Sequence, residues 1–206
     1  MTKIKHIAIA GNIGAGKTTM STALAKRFGW DVHYEDTENN PYLSDFYNDM
    51  NRWSFNLQIY FLNSRYQQVI KILNGDRVVV QDRTIYEDAN IFAPNLHDMG
   101  LMSSRDFENY YTLFKVMSSQ VNPPDLLIYL RADIPKLLSN ISNRGRDYES
   151  NISVDYLKRL NERYENWIGN YQDGNLLIVD VDHKDFINKQ DDMESIVALV
   201  KEKLNI

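Results

Sequence analysis

The chain has no cysteine, which excludes disulfides, thiolate zinc sites and cysteine nucleophiles. Histidine is scarce as well. His6, His33, His97 and His183 are the four, and they do not fall at metal-ligand spacing. No run of about 18 apolar residues occurs, so no stretch is suited to cross a membrane as a helix. Met1 to His6 lacks an apolar stretch long enough for a signal peptide, and the expectation is a cytoplasmic protein that does not act at a membrane. Positive charge is not in excess. The formal net charge is −5, a field unsuited to a polyanionic nucleic acid, although lysines and arginines grouped locally can still hold a small anion. Internal repeats, low-complexity tracts and linkers are absent.

What is present suits one soluble globular domain spanning residues 1–206. Hydrophobic residues make up 43% and charged residues 25% of the chain, ordinary values for such a domain, and its length is enough to bury one substantial core. Short β-rich runs predict strands at Ile4–Ala10, Val32–Glu35, Arg77–Gln81, Leu126–Leu130 and Leu176–Val181. Helical patterns start at Gly16 and cover Ser54–Leu73, Ser104–Gln120, Pro135–Ser142, Ser153–Tyr171 and Asp191–Leu204. After Ser153, a predicted N-cap, the residues Leu157, Leu160, Tyr164, Trp167 and Ile168 share one face. Continuous apolar strands alternating with helices predict an α/β fold with a parallel sheet covered on both faces. Ligands of such sheets sit at the carboxyl ends of the strands.

The most specific signal is Gly11-Asn12-Ile13-Gly14-Ala15-Gly16-Lys17-Thr18, which fits G-x-x-x-x-G-K-[ST] at every fixed position. It follows a predicted strand and opens a predicted helix, the context the motif requires. Its glycines let backbone N–H groups curl around phosphate oxygens, and the helix N-terminus adds partial positive charge. Lys17 would reach the β- and γ-phosphates, and the Thr18 hydroxyl could ligate Mg²⁺. The bland alternative is a glycine-rich turn. The motif does not say which class of nucleotide user this is, since switch GTPases, assembly ATPases and small-molecule kinases share it.

A carboxylate must also sit near the γ-phosphate, to hold Mg²⁺ or to take the acceptor's proton. Asp82-Arg83 follows the predicted strand Arg77–Gln81 and Glu35 ends the predicted strand Val32–Glu35, both in the right layer. Each could instead be a solvated or capping acid. Arg144-Gly145-Arg146 followed by Glu149 predicts a cationic loop able to fold over a transferring phosphoryl group, with a solvated surface loop as the alternative.

With these residues in view, the sequence resembles the deoxynucleoside kinases across nearly its whole length, and the bacterial deoxyadenosine kinases in particular at Asn39–Tyr47. The phosphate loop, Glu35, Trp53-Ser54-Phe55-Asn56-Leu57-Gln58, Asp82-Arg83-Thr84-Ile85-Tyr86-Glu87-Asp88, the Arg144/Arg146/Glu149 lid (about residues 143–152) and Asp185-Phe186 stand in the family's order. The resemblance implies a P-loop kinase three-layer sandwich with a central five-stranded parallel sheet. It implies ATP as donor, bound by Gly11 to Thr19 (Gly11, Asn12, Ile13, Gly14, Ala15, Gly16, Lys17, Thr18, Thr19), Arg144, Arg146, Asp185 and Phe186. Mg²⁺ would be held by Thr18 and Asp82. Glu35 would be the general base for the 5′-hydroxyl, with Arg83 holding it and contacting phosphate. Tyr47 and Glu149 would bind the 3′-hydroxyl, and Gln58 the base. Phe55, Phe92 or Phe114 could sandwich the base, although aromatics at helical spacing are often core. Phe61 could shape the pocket. The family also implies a homodimer with helices packed across the interface.

One position departs from the family. Asn140 stands where some members carry a further lid arginine. The resemblance places Arg65 and Asp88 near the base edge, where an Arg/Asp pair in the family accompanies deoxycytidine or purine use. The expectation is therefore deoxyadenosine, with deoxycytidine and deoxyguanosine behind it. A nucleoside monophosphate kinase would share the phosphate loop, the Asp-Arg segment and the lid, but it needs a cationic cluster for the acceptor's phosphate, which Trp53 to Leu73 does not supply. A switch-like NTPase would need a guanine-reading N-K-x-D segment. Asn188-Lys189-Gln190-Asp191 spells one, in a polar loop outside the expected strand end, and reads as coincidence.

Overall fold

The computed structural model describes residues 4–37, 39–146, 152–186 and 189–206. Five strands, β1 (His6–Gly11), β2 (Asp31–His33), β3 (Val79–Asp82), β4 (Leu126–Arg131) and β5 (Leu176–Asp180), form one sheet in the order β2-β3-β1-β4-β5. Every pairing is parallel. The helices are α1 (Lys17–Phe28), α2 (Leu43–Asn48), α3 (Met50–Asn74), α4 (Ile85–Glu87), α5 (Ala93–Asp98), α6 (Ser104–Ser118), α7 (Ile134–Arg144), α8 (Val154–Gly169) and α9 (Gln190–Leu204), with a π-turn over Asp88–Phe92 between α4 and α5.

The strands are apolar on both sides because both faces are covered. In β1, Ala8 and Ala10 join a core with α3, α5, α6 and α8, whereas Ile7 and Ile9 join a second core with α1 and α9. β4 divides in the same way, Leu127 and Tyr129 to the first core and Leu126, Ile128 and Leu130 to the second. This period-two split is what a strand buried on two faces requires. The layers are therefore helix, sheet, helix, as expected. The edge strands are less covered: β2 is half-buried throughout, and Ile178 of β5 is exposed.

Local capping sets the helix starts. The Asp49 side chain accepts from Arg52 N, so α3 begins at Met50 rather than Ser54. Ser153 caps α8 through Tyr156 N, and Tyr156, Leu157, Leu160, Tyr164 and Ile168 are buried, with Trp167 half-buried beside them. Two features lie outside the sequence expectations: helix α2 and the helical stretch from Ile85 to Asp98. β2 also stops at His33, because only Asp31, Val32 and His33 find partners on β3, and Glu35 lies in the loop beyond. Among the described residues, no helix is long and apolar enough to cross a membrane.

Candidate active site

Parallel pairing brings the carboxyl ends of all five strands to one edge, and a cleft with a volume of about 1020 Å³ opens there. β1 runs directly into the phosphate loop. Gly16, at φ +91°, turns the chain into α1. Gly14, at φ +86°, packs so tightly on α7 that an added Cβ would lie 2.7 Å from Leu137 O. Asn140 explains part of that seat, because its Nδ2 donates to Gly14 O at 2.7 Å. The residue that departs from the family pattern thus holds the phosphate loop directly.

Lys17 is buried at the mouth of the loop, with Nζ donating to Asn12 O at 2.9 Å. Burial pushes its pKa down to about 7. Arg83 lowers it further, while Asp82, Glu87 and Glu35 oppose the fall. An anion of high charge density arriving here would restore the ammonium.

β3 delivers the next pair. Register sets Asp82 opposite Ile9, so its carboxylate meets α1, and Thr18 Oγ1 donates to Asp82 Oδ2 at 2.6 Å. Asp82 Oδ1 is buried without a hydrogen-bond partner. A hydroxyl and a carboxylate with a spare oxygen form a hard donor set suited to Mg²⁺, which keeps most of its waters and takes substrate phosphates as further ligands. Arg83 extends the ladder through its N–H to Ile9 O at 3.1 Å, then adopts φ +71°, a left-handed conformation uncommon for a side-chain-bearing residue.

Glu35 sits between two guanidiniums. Its Oε1 lies 2.6 Å from Arg65 Nη2 and 3.3 Å from Arg83 Nε. Burial pushes this carboxyl up, but Arg83, Arg65, Lys17 and Arg146 outweigh it and bring the pKa down to about 2. It is ionised throughout the neutral range.

Beyond Glu35 the cleft deepens between α2, α3 and the π-turn, lined by Tyr47, Gln58, Phe61, Arg65, Asp88 and Phe92. Arg65 Nη1 lies 3.0 Å from Asp88 Oδ2, and the pair is nearly inaccessible. The angle there is not that of a hydrogen bond, and Arg65 Nη1, Arg65 Nε, Asp88 Oδ2 and Gln58 Oε1 are all buried without hydrogen-bond partners. Native interiors rarely leave such groups orphaned. Several at one end of a cleft mark a place where a polar ligand completes the bonding. Burial pushes Asp88 up to about 7. Arg65 opposes this, Glu35 and Glu87 add to it, and Arg83 opposes.

The cleft also gathers Ile13, Gly14, Ala15, Gly16, Lys17, Thr18, Thr19, Arg144, Arg146, Asp185 and Phe186. Gly11 and Asn12 stand just behind that lining, at the end of β1. Phe55 and Phe114 are not among the lining residues. Phe55 is partly buried against the core, and Phe114 meets Tyr86 edge-on. Glu149 lies outside the described residues with the rest of 147–151, half of the expected lid, as does Asn188 of the N-K-x-D spelling.

Sequence reasoning missed the supports. Asn12 Nδ2 donates to Leu157 O and to Asn161 Oδ1, and Asn161 Nδ2 to Ala132 O at 2.9 Å. Tyr110, on α6, is fully buried with an unpartnered hydroxyl whose pKa is driven up by burial and then by Asp88. Glu87 and Tyr164 surround Arg83 from behind. Glu87 and Tyr110 gave no signal of their own, and Tyr164 read only as one more residue of an apolar helix face.

The chain is similar to known proteins over almost all of its length. The Deoxynucleoside kinase family profile matches residues 7–205. The chain is 42% identical over 193 residues to the deoxyadenosine/deoxycytidine kinase of Bacillus subtilis, covering 93% of this chain and 89% of that protein. It is 35% identical over 206 residues to the deoxyguanosine kinase of the same organism, covering 98% and 99%. The structure of the M. mycoides deoxyadenosine kinase with dCMP and dCDP superposes with a TM-score of 0.85 at 31% identity, covering 96% of this chain and 99% of that one. The same enzyme with dATP gives 0.83. A phosphate loop beside a carboxylate held by two arginines, on a sheet shared with these enzymes, leaves one assignment: the chain belongs to the deoxynucleoside kinase family and is a deoxynucleoside kinase.

Proposed function

We propose that this enzyme transfers the γ-phosphate of ATP to the 5′-hydroxyl of deoxyadenosine in preference to other deoxynucleosides, with deoxycytidine and deoxyguanosine as secondary acceptors. The observation that carries the reading is that Glu35 shares one cleft with Lys17 of the phosphate loop and is bound to Arg65 of the Arg65–Asp88 pair. An acceptor seated on that pair would present its hydroxyl to Glu35 and, past it, to a triphosphate on the loop. The 42% identity to a deoxyadenosine/deoxycytidine kinase and the M. mycoides deoxyadenosine kinase fold agree with it.

Glu35 would take the 5′-hydroxyl proton. An acid with a pKa near 2 is a weak base, but phosphoryl transfer passes through a loose transition state in which the hydroxyl is deprotonated late, and orientation matters more than basicity. Lys17, Arg83, Arg144 and Arg146 would offset charge on the transferring group. Thr18 and Asp82 would hold Mg²⁺, which would supply charge neutralisation at the phosphates. Gln58 would offer a donor and an acceptor to the base edge, Asp88 would accept from an exocyclic amine, and Arg65 would donate to ring acceptors. Phe61 and Phe92 line the base pocket. Tyr47, with Glu149, would take the 3′-hydroxyl, and Asp185 and Phe186 the adenine of ATP. We read residues 1–206 as one catalytic domain that works as a cytoplasmic homodimer.

A monophosphate acceptor fits poorly. On the acceptor side the charge of Arg65 is already balanced by Glu35 and Asp88, and the described residues lining that end include no further cation to hold a second phosphate. Competition among the four deoxynucleosides tests the preference: deoxyadenosine should have the highest kcat/KM. The preference is wrong if thymidine leads, and the acceptor class is wrong if only dAMP or dTMP is phosphorylated.

A further inference from the structure

Behind the cleft, Arg83 and Glu87, four residues apart, meet Tyr164 of α8 in a dry junction. Arg83, Glu87 and Tyr164 are all nearly or fully inaccessible. Glu87 Oε1 accepts from Arg83 Nη1 at 3.2 Å and from Gly11 N at 3.3 Å, while Glu87 Oε2 accepts from Thr84 N at 3.2 Å, closing the cap of α4. Tyr164 OH accepts from Arg83 Nη1 at 2.9 Å, and its single proton faces Glu87 Oε1 at 2.7 Å and Gly11 O at 2.9 Å. Gly11 is the first residue of the phosphate loop. The junction therefore grips both backbone polar groups of Gly11 and one nitrogen of Arg83.

This arrangement leaves Arg83 divided. Nη1 is turned backward to Glu87 and Tyr164, Nε is turned to Glu35, and the guanidinium stacks 4.8 Å over Phe92. A long arginine side chain has many rotamers, and its backbone here is in the left-handed region. Buried, charge-assisted hydrogen bonds on the far side select one of those rotamers before substrate arrives.

We propose that Glu87 and Tyr164 are positioning residues for phosphoryl transfer, fixing the Arg83 guanidinium against Glu35 and locking it in register with Gly11 of the phosphate loop. The proposal rests on the reading of Arg83 and Glu35 as reacting-side groups. Neither Glu87 nor Tyr164 lines the cleft, so neither touches substrate, and their effect must pass through Arg83.

The test is a mutant cycle on the full-length enzyme with deoxyadenosine and ATP. Tyr164→Phe keeps shape and charge, and is expected to lower kcat by about tenfold. Glu87→Gln removes the buried negative charge behind Arg83 and is expected to lower it by about 10²-fold. KM for deoxyadenosine should stay within about threefold in both, because the base end is untouched. In an Arg83→Gln background neither second change should alter kcat by more than about threefold, since there is no guanidinium left to position. Thermal melting checks folding, and if Glu87→Gln does not fold, the Tyr164→Phe pair carries the cycle alone. Additive losses in the Arg83→Gln background would overturn the proposal, as would unchanged kcat in both variants or a rise in KM matching the fall in kcat. An Arg83→Gln enzyme of full activity would sink the reading of Arg83 itself, a different outcome from a potent Arg83→Gln with silent partners.

Discussion

Arg65 Nη2 lies 2.6 Å from Glu35 Oε1, while Nη1 of the same guanidinium lies 3.0 Å from Asp88 Oδ2. One side chain therefore joins the carboxylate proposed to react with the carboxylate proposed to read the base. A planar fork can hold two acids in fixed directions, whereas a lysine is a point charge on a flexible stem. Arg65→Lys is accordingly expected to raise KM for deoxyadenosine and to lower kcat, each by about tenfold, the worth of one charge-assisted hydrogen bond. Steady-state kinetics decide it, and a change confined to KM would show that the two acids are independent.

Asp88 should write its titration into substrate binding. Its pKa, pushed up to about 7 by burial, is set among Arg65, Glu35, Glu87 and Arg83, with Tyr110 facing it from α6. The ionised form accepts from an exocyclic amine, so KM for deoxyadenosine should rise as pH falls below about 7. Stability runs the other way. The folded pKa lies above the unfolded value of 3.8, so the folded state binds more protons between the two, and the stability this group contributes is present at low pH and lost as pH rises through 7. Asp88→Asn should flatten both curves. KM should become higher and independent of pH from 6 to 8, and the fall in Tm between pH 5 and 8 should shrink. Identical pH slopes in the two proteins would contradict the assignment.

Asn140 should matter to the donor and not to the acceptor. Its bond to Gly14 O is the polar tie from the centre of α7 to the phosphate loop. Asn140→Ala removes one ordinary hydrogen bond, worth about 1 kcal/mol, and is expected to raise KM for ATP about fivefold. Asn140→Asp cannot donate and places a negative charge beside the triphosphate, so a rise of more than about tenfold is expected. KM for deoxyadenosine should change in neither. Calorimetric titration with a non-hydrolysable ATP analogue gives the same comparison without turnover.

The readable parts of the molecule were those whose signals are local. The phosphate loop is eight consecutive residues whose strand-turn-helix context is written beside it. The five strands were legible because a two-faced parallel sheet needs unbroken apolar runs. Glu35 was expected at the end of a strand and lies in the loop beyond it, since β2 pairs over three residues only and edge pairing leaves no mark on composition. The helical stretch Ile85–Asp98 went unread for a physical reason. Pro94 has no N–H to donate back to Asn90, so the pattern looks broken. The chain instead widens into a π-turn, with Ala93 N–H reaching Asp88 O, and continues as α5. That wide turn aligns with the part of the cleft lined by Asp88 and Phe92, in keeping with the frequent use of such turns at functional sites. The junction of Gly11, Arg83, Glu87 and Tyr164 joins positions up to 153 residues apart, and no window along the sequence contains it.

The central claim is that Glu35 receives the proton of a deoxynucleoside 5′-hydroxyl, and Glu35→Gln tests it most directly. The amide keeps the size of the side chain and part of its bonding to Arg65 and Arg83, but it cannot take a proton. Single-turnover transfer from γ-labelled ATP to deoxyadenosine, with Mg²⁺ present, should slow by about 10²–10⁴-fold, with nucleoside binding weakened far less. Transfer within about threefold of the unaltered enzyme would contradict the account.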